Sequence, residues 1–400
     1  MLNKIPSPCY VLEEKKLLHN LEILDSVQKS SGAKILVALK GFAFWRSFDL
    51  LKPYLYGSTA SGIYEARLGY ETLGGREKKK EICVFSPAYK EKEIRELVKI
   101  ATHIIFNSFA QWQRFKNIIS EANHTLQSKG KSPIEIGLRL NPLYSEVSPI
   151  IYNPCSPKSR LGITPSEFEK GIREFGLEGI SGLHFHTHCE QNSDVLERTL
   201  KHIETHFKPY LSQMKWINLG GGHHITRKDY NLPLLVSLLK DLREKYNTEV
   251  FLEPGEAVGW QCGFLLAEVV DIIQNEGNVA ILDVSASAHM PDCLEMPYRP
   301  KATKLSNGIL EEDCGEGVAS YTYRLGGNTC LSGDVIGDYS FHTPLEIGDK
   351  ILFDDMIHYT IVKNTTFNGV PLPSLGVIKQ NKEFELLKSF DYSYYKERNG

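Results

Sequence analysis

Residues able to do chemistry gather in a few short stretches. "GLHFHTHCEQ", Gly182 to Gln191, carries His184, His186 and His188, followed by Cys189 and Glu190. "NLGGGHHIT" supplies Gly220, Gly221 and Gly222, then His223 and His224. "ILVALK" is an apolar run that ends in Lys40, and "FLEPGEA" holds Glu253, Gly255 and Glu256. Histidines two apart share one face of a strand, and imidazole is a common zinc ligand, so a metal site is one reading. A lysine buried at the end of an apolar strand has a lowered pKa, and its neutral amine can form a Schiff base. It can equally be a strand-end lysine turned to solvent. Glycine runs let backbone N–H groups approach phosphate oxygens, although most such runs are turns.

These residues sit at the ends of elements that must position them. Strand-like runs are "KILVALK" (34–40), "YGSTA" (56–60), "EICVFS" (81–86) and "HIIFNS" (103–108). "IEIGLRLN" (134–141), "ISGLHFHTH" (180–188), "KWINLGG" (215–221) and "EVFLEP" (249–254) follow. Helix-like stretches such as "EKEIRELVKIA" and "SFAQWQRFKNIISEA" separate most of them, and "EEKKLLHNLEILDSVQKS" precedes the first. Alternation of strand and helix implies a parallel sheet, and eight units in about 250 residues imply an α/β (β/α)8 TIM-like barrel. Beyond residue 262 the pattern turns β-rich, with "FLLAEVVDII", "NVAILDVSA", "SYTYRLG", "KILFD" and "IHYTIVK" read as strands. The expected domains are a barrel over 10–260 and a β-barrel or sandwich over 261–400, joined by an N-terminal strand, 1–9. The C-terminal "LKSFDYSYYKERNG" is a tail or a terminal helix.

In such barrels chemistry happens at the C-terminal ends of the strands, and phosphates bind after strands seven and eight. Lys40 ends the first barrel strand, Arg139 and Asn141 lie on the fifth, the histidines on the sixth. Gly220–Gly222 follow the seventh, while Glu253 and Gly255 follow the eighth. A Schiff-base lysine and a phosphate cradle in one barrel suggest pyridoxal 5′-phosphate (PLP). Glu253 then has a task, because a carboxylate beside the pyridine nitrogen keeps it protonated and able to accept electrons.

Composition is consistent with such an enzyme. The 400 residues are 42% hydrophobic and 24% charged, with a net charge of −3 that argues against nucleic acid and suits a cationic substrate. No apolar run approaches the roughly 18 residues of a membrane span. The opening "MLNKIPSPCYVLEEKK" lacks the apolar core of a signal peptide. Eight cysteines form no CxxC and no framework spacing, so they are expected to be free thiols in the cytoplasm.

In order along the chain, "PSPCYVLEE", "ALKGF", "GLHFH", "NLGGG", "EPGEA", "GNTCLSGD", "GDKILFDDMIHYT" and "TTFNG" resemble the alanine-racemase-like (fold III) PLP decarboxylases. That family acts on ornithine, arginine, diaminopimelate and carboxynorspermidine. The resemblance implies that Lys40 carries PLP and that His186 stacks on its ring. Gly221, Gly222 and Gly255, with Tyr359, would hold the phosphate. Glu253 would pair with the ring nitrogen, Arg139 would support the cofactor face, and Cys330 would protonate the carbanion. The family's homodimers share their active sites, so Cys330 would come from the partner subunit.

"ALKGFAFW", "GGGHH", "EPGEAVGW" and "HMPDCLEMPYRP" are most similar to the branch that decarboxylates carboxynorspermidine and carboxyspermidine to norspermidine and spermidine in polyamine biosynthesis. Two departures from the wider family agree with it. Glu256 stands where relatives have an arginine near the phosphate, and Leu331 follows Cys330 where others have a substrate-binding acid. A polycationic amino-acid substrate needs carboxylates for its remote ammoniums, and Glu256, Asp292 and Asp334 are the candidates. Ser61 and Glu65, in "GSTASGIYEARLG", depart from the usual spacing and receive no role. His188 and Cys189 replace a small Gly-Ser pair, and His184 reads as a packed, hydrogen-bonded core residue.

Decarboxylation of diaminopimelate, ornithine or arginine is the alternative on the same fold. A metal-dependent barrel hydrolase is the remote one, since it leaves Lys40, the glycine run and "EPGE" without roles; no metal is expected.

Overall fold

The alternation of apolar runs and amphipathic segments builds a closed parallel barrel in the computed structural model, which describes residues 2–400. After a first strand, β1 (Cys9–Glu13), come β2 (Lys34–Ala38), β3 (Gly57–Ala60), β4 (Glu81–Phe85), β5 (His103–Phe106), β6 (Glu135–Leu140), β7 (Gly182–Phe185), β8 (Trp216–Asn218) and β9 (Glu249–Leu252). β2 to β9 pair in chain order, and the ring closes with Lys34 beside Phe251 and Ile35 beside Leu252. These strands are buried on both faces, which explains their apolar runs. Outer helices carry the expected punctuation. Glu91–Ile100 buries Ile94 and Leu97 and keeps Glu91 and Glu93 in its first turn, where they complement the helix dipole. Ser108 caps Phe109–Ser128 by accepting the Gln111 N–H at 3.2 Å.

The barrel interior is a packed core of Leu36, Cys83, Ile105, Trp216 and Phe251. Trp216 fills so much of it that a Cβ at Gly137 or Gly182 would lie 2.3 Å or 2.0 Å from its ring. Glycine at these two strand positions is therefore a requirement of the indole, not a weakness of the strands. Because the strands are parallel, all eight C-terminal ends open at one mouth.

The second compact unit comprises the described chain through His19 together with Gly259–Gly400; the barrel unit is Asn20–Val258. It contains β1 with β10 (Gly263–Gln274), β11 (Asn278–Leu282), β12 (Ala302–Ser306), β13 (Ile309–Glu312) and β14 (Tyr321–Gly326). β15 (Val335–Phe341), β16 (Lys350–Asp354), β17 (Ser374–Ile378) and β18 (Phe384–Lys388) complete it. The order is β13-β12-β16-β10-β1-β17-β18, and the far part of β10 continues through β11 to β14 and β15. β1 is antiparallel to β10 and parallel to β17. One face buries Ile5, Cys9, Val11, Phe264, Leu266, Leu305 and Leu352.

Two elements differ from expectation. The N-terminal strand begins at Cys9 rather than spanning 1–9, since Pro6 and Pro8 cannot donate to a ladder. "IHYTIVK" is not a strand. Tyr359 has φ of +41°, which ends any extended run, and Thr360–Lys363 form a helical turn. The C-terminal stretch contains a helix, Tyr392–Arg398, capped by Asp391, which accepts the Ser393 N–H at 3.0 Å. No helix among the described residues is long and apolar enough to cross a membrane.

Candidate active site

The side chains at the barrel mouth stand at or just beyond the strand ends. Lys40 lies two residues past β2, in a turn where the Gly41 and Phe42 N–H groups donate to the Ala38 carbonyl at 3.0 Å. Arg139 is on β6 and His184 on β7, while His186 follows β7 by one residue. Asn218 ends β8, and Glu253 follows β9 by one residue. Since β9 is hydrogen-bonded to β2, the positions of Lys40 and Glu253 belong to adjacent strands.

Glu253 is 7% exposed. Asn218 Nδ2 donates to its Oε1 at 2.7 Å, and His184 Nε2 lies 3.4 Å from its Oε2. Burial pushes the carboxyl up, but His184, Asn218 and Thr59 outweigh it and hold the pKa at about 2. The result is a carboxylate that stays ionised inside the barrel. His184 itself is pushed down by burial, against the pull of Glu253, and stacks on Phe85 with ring centroids 5.6 Å apart. Arg139 places its guanidinium 4.5 Å from the same Phe85 ring and donates to the His186 carbonyl at 3.3 Å.

Lys40 has an exposed side chain at the barrel mouth. Desolvation, followed by the Arg139 charge, lowers its pKa, while Glu253 and Glu65 oppose the shift. Its Nζ is 3.4 Å from His186 Nε2. The Gly221 N–H donates to His186 Nδ1 at 2.9 Å. That bond makes Nδ1 the acceptor and leaves the proton of the neutral ring on Nε2, facing the lysine amine. Burial, then the Lys40 and Arg139 charges, hold His186 well below the usual imidazole range.

The glycine run is keyed into this frame. The Gly220 N–H donates to Asn218 Oδ1 at 2.9 Å, so one side chain holds both the loop and Glu253. A Cβ at Gly221 would lie 2.4 Å from the Glu253 carbonyl oxygen. At Gly255 it would lie 3.0 Å from the Ala38 carbonyl oxygen. Backbone crowds these positions from the neighbouring strand ends.

These features fit a pyridoxal phosphate. The pKa of the lysine is lowered, that of the buried carboxylate is held low by its partners, and the ring of His186 is fixed by a main-chain bond. Arg139 Nε and His184 Nδ1 are among the buried atoms that lack a hydrogen-bond partner in the described residues.

Of the residues singled out from sequence, the structure gathers Lys40, Arg139, His186, Gly221, Gly222, Glu253, Gly255 and Glu256 in the barrel unit. Reasoning from sequence missed Asn218, whose signal is a polar residue ending the apolar run "WIN". It also missed Glu190. Single ligating atoms of Glu190, His224 and Glu256 lie within 4.8 Å of one another, a cluster able to hold a cation. Glu65, left without a role, accepts the Ser61 N–H at 2.6 Å.

Asp292, Cys330, Asp334 and Tyr359 belong to the sheet unit. Asp292 is ion-paired with Lys363 at 2.5 Å, and the same lysine reaches Glu295. Cys330 is exposed on the loop after β14. Asp334 is 4% exposed, and its carboxylate accepts from Thr329 Oγ1 at 2.5 Å and from the Ser287 and Thr329 N–H groups at 3.3 Å. It fastens the loop that carries Cys330. Tyr359 precedes the Thr360–Lys363 turn.

The family model described as pyridoxal-dependent decarboxylase, C-terminal sheet domain, matches residues 9–357. The chain belongs to the pyridoxal-dependent decarboxylases. It is 47% identical over 401 aligned residues to a carboxynorspermidine/carboxyspermidine decarboxylase of Campylobacter jejuni, covering 99% of both chains. It is 41% identical to a carboxyaminopropylagmatine decarboxylase of Synechocystis, covering 100% of this chain and 97% of the other. The crystal structure of C. jejuni carboxynorspermidine decarboxylase with norspermidine superposes with a TM-score of 0.85 at 46% identity, over 99% of this chain and 100% of that one. Diaminopimelate decarboxylase of Helicobacter pylori shares the fold, with a TM-score of 0.79 at 14% identity over 100% and 99% of the two chains.

Proposed function

We propose that this protein is a PLP-dependent decarboxylase of carboxynorspermidine and carboxyspermidine, serving polyamine biosynthesis. The observation that carries the reading is a buried Glu253, held by Asn218 and His184, on the strand end next to that of Lys40, whose Nζ is 3.4 Å from His186 Nε2. Identity of 47% to the C. jejuni enzyme over the full length supports the substrate class. When bound, PLP supplies the electron sink for the carbanion left by loss of CO2.

The chain's own residues supply the rest. Lys40 would hold the cofactor through its Nζ, which stands 3.4 Å from His186 Nε2. Glu253 keeps a negative charge where the cofactor's ring nitrogen is to be held protonated. His186, its ring fixed by the Gly221 N–H, would pack against the cofactor, and Arg139, which donates to the His186 carbonyl, would support it. Gly221, Gly222 and Gly255 admit the phosphate, with Tyr359 as a further partner. Cys330 Sγ, from the partner subunit of a homodimer, delivers a proton to the substrate's α-carbon. Glu256, with Glu190 beside it, and Asp292 take the remote ammoniums; at Asp292 the substrate would compete with Lys363. Asp334 is the third acid, and its bonds to Thr329 and Ser287 favour a share in holding the Cys330 loop. Eight unpaired cysteines suit a cytoplasmic enzyme.

A second reading, decarboxylation of carboxyaminopropylagmatine, is favoured by the 41% identity to the Synechocystis enzyme. CO2 release should be measured side by side from carboxynorspermidine, carboxyspermidine, carboxyaminopropylagmatine, ornithine and diaminopimelate. The reading requires the first two to be preferred and Lys40→Ala to abolish release. Preference for any of the others would replace the substrate assignment, and full activity in Lys40→Ala would overturn the mechanism.

A further inference from the structure

His188 and His223 have no part in the scheme above, yet both are almost completely buried, at 2% and 1% exposure. They connect three elements in one chain of hydrogen bonds. His223 Nε2 is 3.3 Å from the Leu219 carbonyl oxygen. The two Nδ1 atoms are 3.3 Å apart, and His188 Nε2 is 3.1 Å from Thr199 Oγ1 on helix Ser193–Leu211. The rings meet edge to face, with centroids 4.7 Å apart.

A proton count fixes the direction of this chain. The Leu219 carbonyl can only accept, so His223 Nε2 must carry hydrogen. A neutral His223 then has a bare Nδ1, and His188 Nδ1 must donate to it. His188 Nε2 is left as an acceptor, filled by the Thr199 hydroxyl. Every donor meets an acceptor only in this arrangement of neutral rings. Burial of both rings agrees with it, holding His188 well below the usual range and His223 at about 4.

The chain terminates on the residue before the glycine run. Gly222 lies against it as well, since a Cβ there would be 2.1 Å from the His188 carbonyl oxygen. The Gln191 N–H donates to the Gly222 carbonyl at 3.0 Å, and the His224 N–H to the Gln191 carbonyl at 3.2 Å. We infer that His188 and His223 form a neutral, one-directional hydrogen-bond relay, anchored at Thr199, that sets the Leu219–Gly222 loop in register for the cofactor. They are positioning residues, and this role rests on the PLP reading. The bulk that replaces a small pair at 188 thus has a structural task in holding the loop.

The test uses holoenzyme selectively labelled with 15N-histidine at pH 7. Two-bond proton–nitrogen spectra, assigned with His188→Asn and His223→Gln, should show His188 as the Nδ1–H tautomer and His223 as the Nε2–H tautomer. An imidazolium at either residue, or the opposite tautomers, overturns the relay. PLP dissociation constants are measured alongside, with melting curves of each variant. His188→Ala should weaken PLP binding about tenfold, whereas His188→Asn, whose amide still reaches His223, should restore it to within about threefold. Binding within twofold of wild type in His188→Ala overturns the positioning role even with the expected tautomers. If His188→Ala does not fold, Thr199→Val, which removes only the terminal hydroxyl, is judged by the same twofold limit. A wild-type protein that binds no PLP defeats the cofactor reading and with it the positioning role, while the spectra still decide the relay.

Discussion

Gly221→Ala is the sharpest test of how the site is assembled. The added Cβ would stand 2.4 Å from the Glu253 carbonyl oxygen, against the 3.4 Å at which ordinary contact begins. The loop and the end of β9 must therefore separate by about 1 Å, and neither is a flexible side-chain tip that can swing away. Overpacking of this kind costs about 1–3 kcal/mol. The displacement also separates the Gly221 N–H from His186 Nδ1, or moves His186 from Lys40, because all three are linked. A misplacement of about 1 Å near reacting groups costs on the order of 10²-fold in rate. The expected result is a kcat/KM for CO2 release lowered about 100-fold, with a melting temperature lowered by several degrees. Gly277→Ala is the control, since its Cβ would meet nothing within 4 Å. Wild-type kcat/KM, within about threefold, in Gly221→Ala with full cofactor occupancy would refute the account of a loop keyed against Glu253.

Glu253→Gln keeps the shape of the side chain and removes its charge, so kcat should fall about 10²-fold with a smaller change in KM; an unchanged kcat would remove Glu253 from the cofactor site. The folded pKa of Glu253, about 2, lies below its ordinary 4.5. Its contribution to stability is therefore complete above pH 4.5 and lost only as pH falls toward 2. His223 acts in the same direction but at higher pH, being folded in its neutral form with a pKa of about 4 rather than 6.5. Unfolding at pH 5.5 should take up about 0.9 proton at this residue, a slope of about 1.2 kcal/mol per pH unit, with stability falling as pH drops from 6.5 toward 4. His223→Gln should flatten the pH dependence of chemical denaturation in that window by this amount, and an unaltered slope would contradict a buried neutral ring. Glu256→Ala should raise KM for polyamine substrates more than it lowers kcat, which steady-state kinetics would show.

The barrel was readable because its strands are largely buried on both faces and several, such as β2, β4 and β5, appear as short apolar runs. Lys40 and Glu253 stood out for the same reason, as charges placed where such runs stop. The polar neighbours were harder to see. Asn218 is one residue in a three-residue strand, and only folding shows that it holds Glu253 and Gly220 together. His188 and His223 are 35 residues apart, and their contact depends on the spacing of two loops that no local pattern encodes. The sheet unit was less legible than the barrel. β13 is mostly exposed and shows no apolar run, while "IHYTIVK" alternates like a strand. What defeats the strand is the backbone at Tyr359 and a lysine, Lys363, paired with Asp292 from 71 residues upstream.

The place of β1 has a consequence for how the protein is made. Barrel strands are complete once Leu252 has been synthesised, but β1 lies between β10 and β17, and β17 starts only at Ser374. At about 5–20 residues per second, roughly 120 further residues keep one long edge of β1 waiting for some 6–24 s after the barrel can close. β1 is apolar, and an unpaired strand edge invites wrong partners. Truncation through Glu13 would thus remove a central strand of the second unit rather than trim its border.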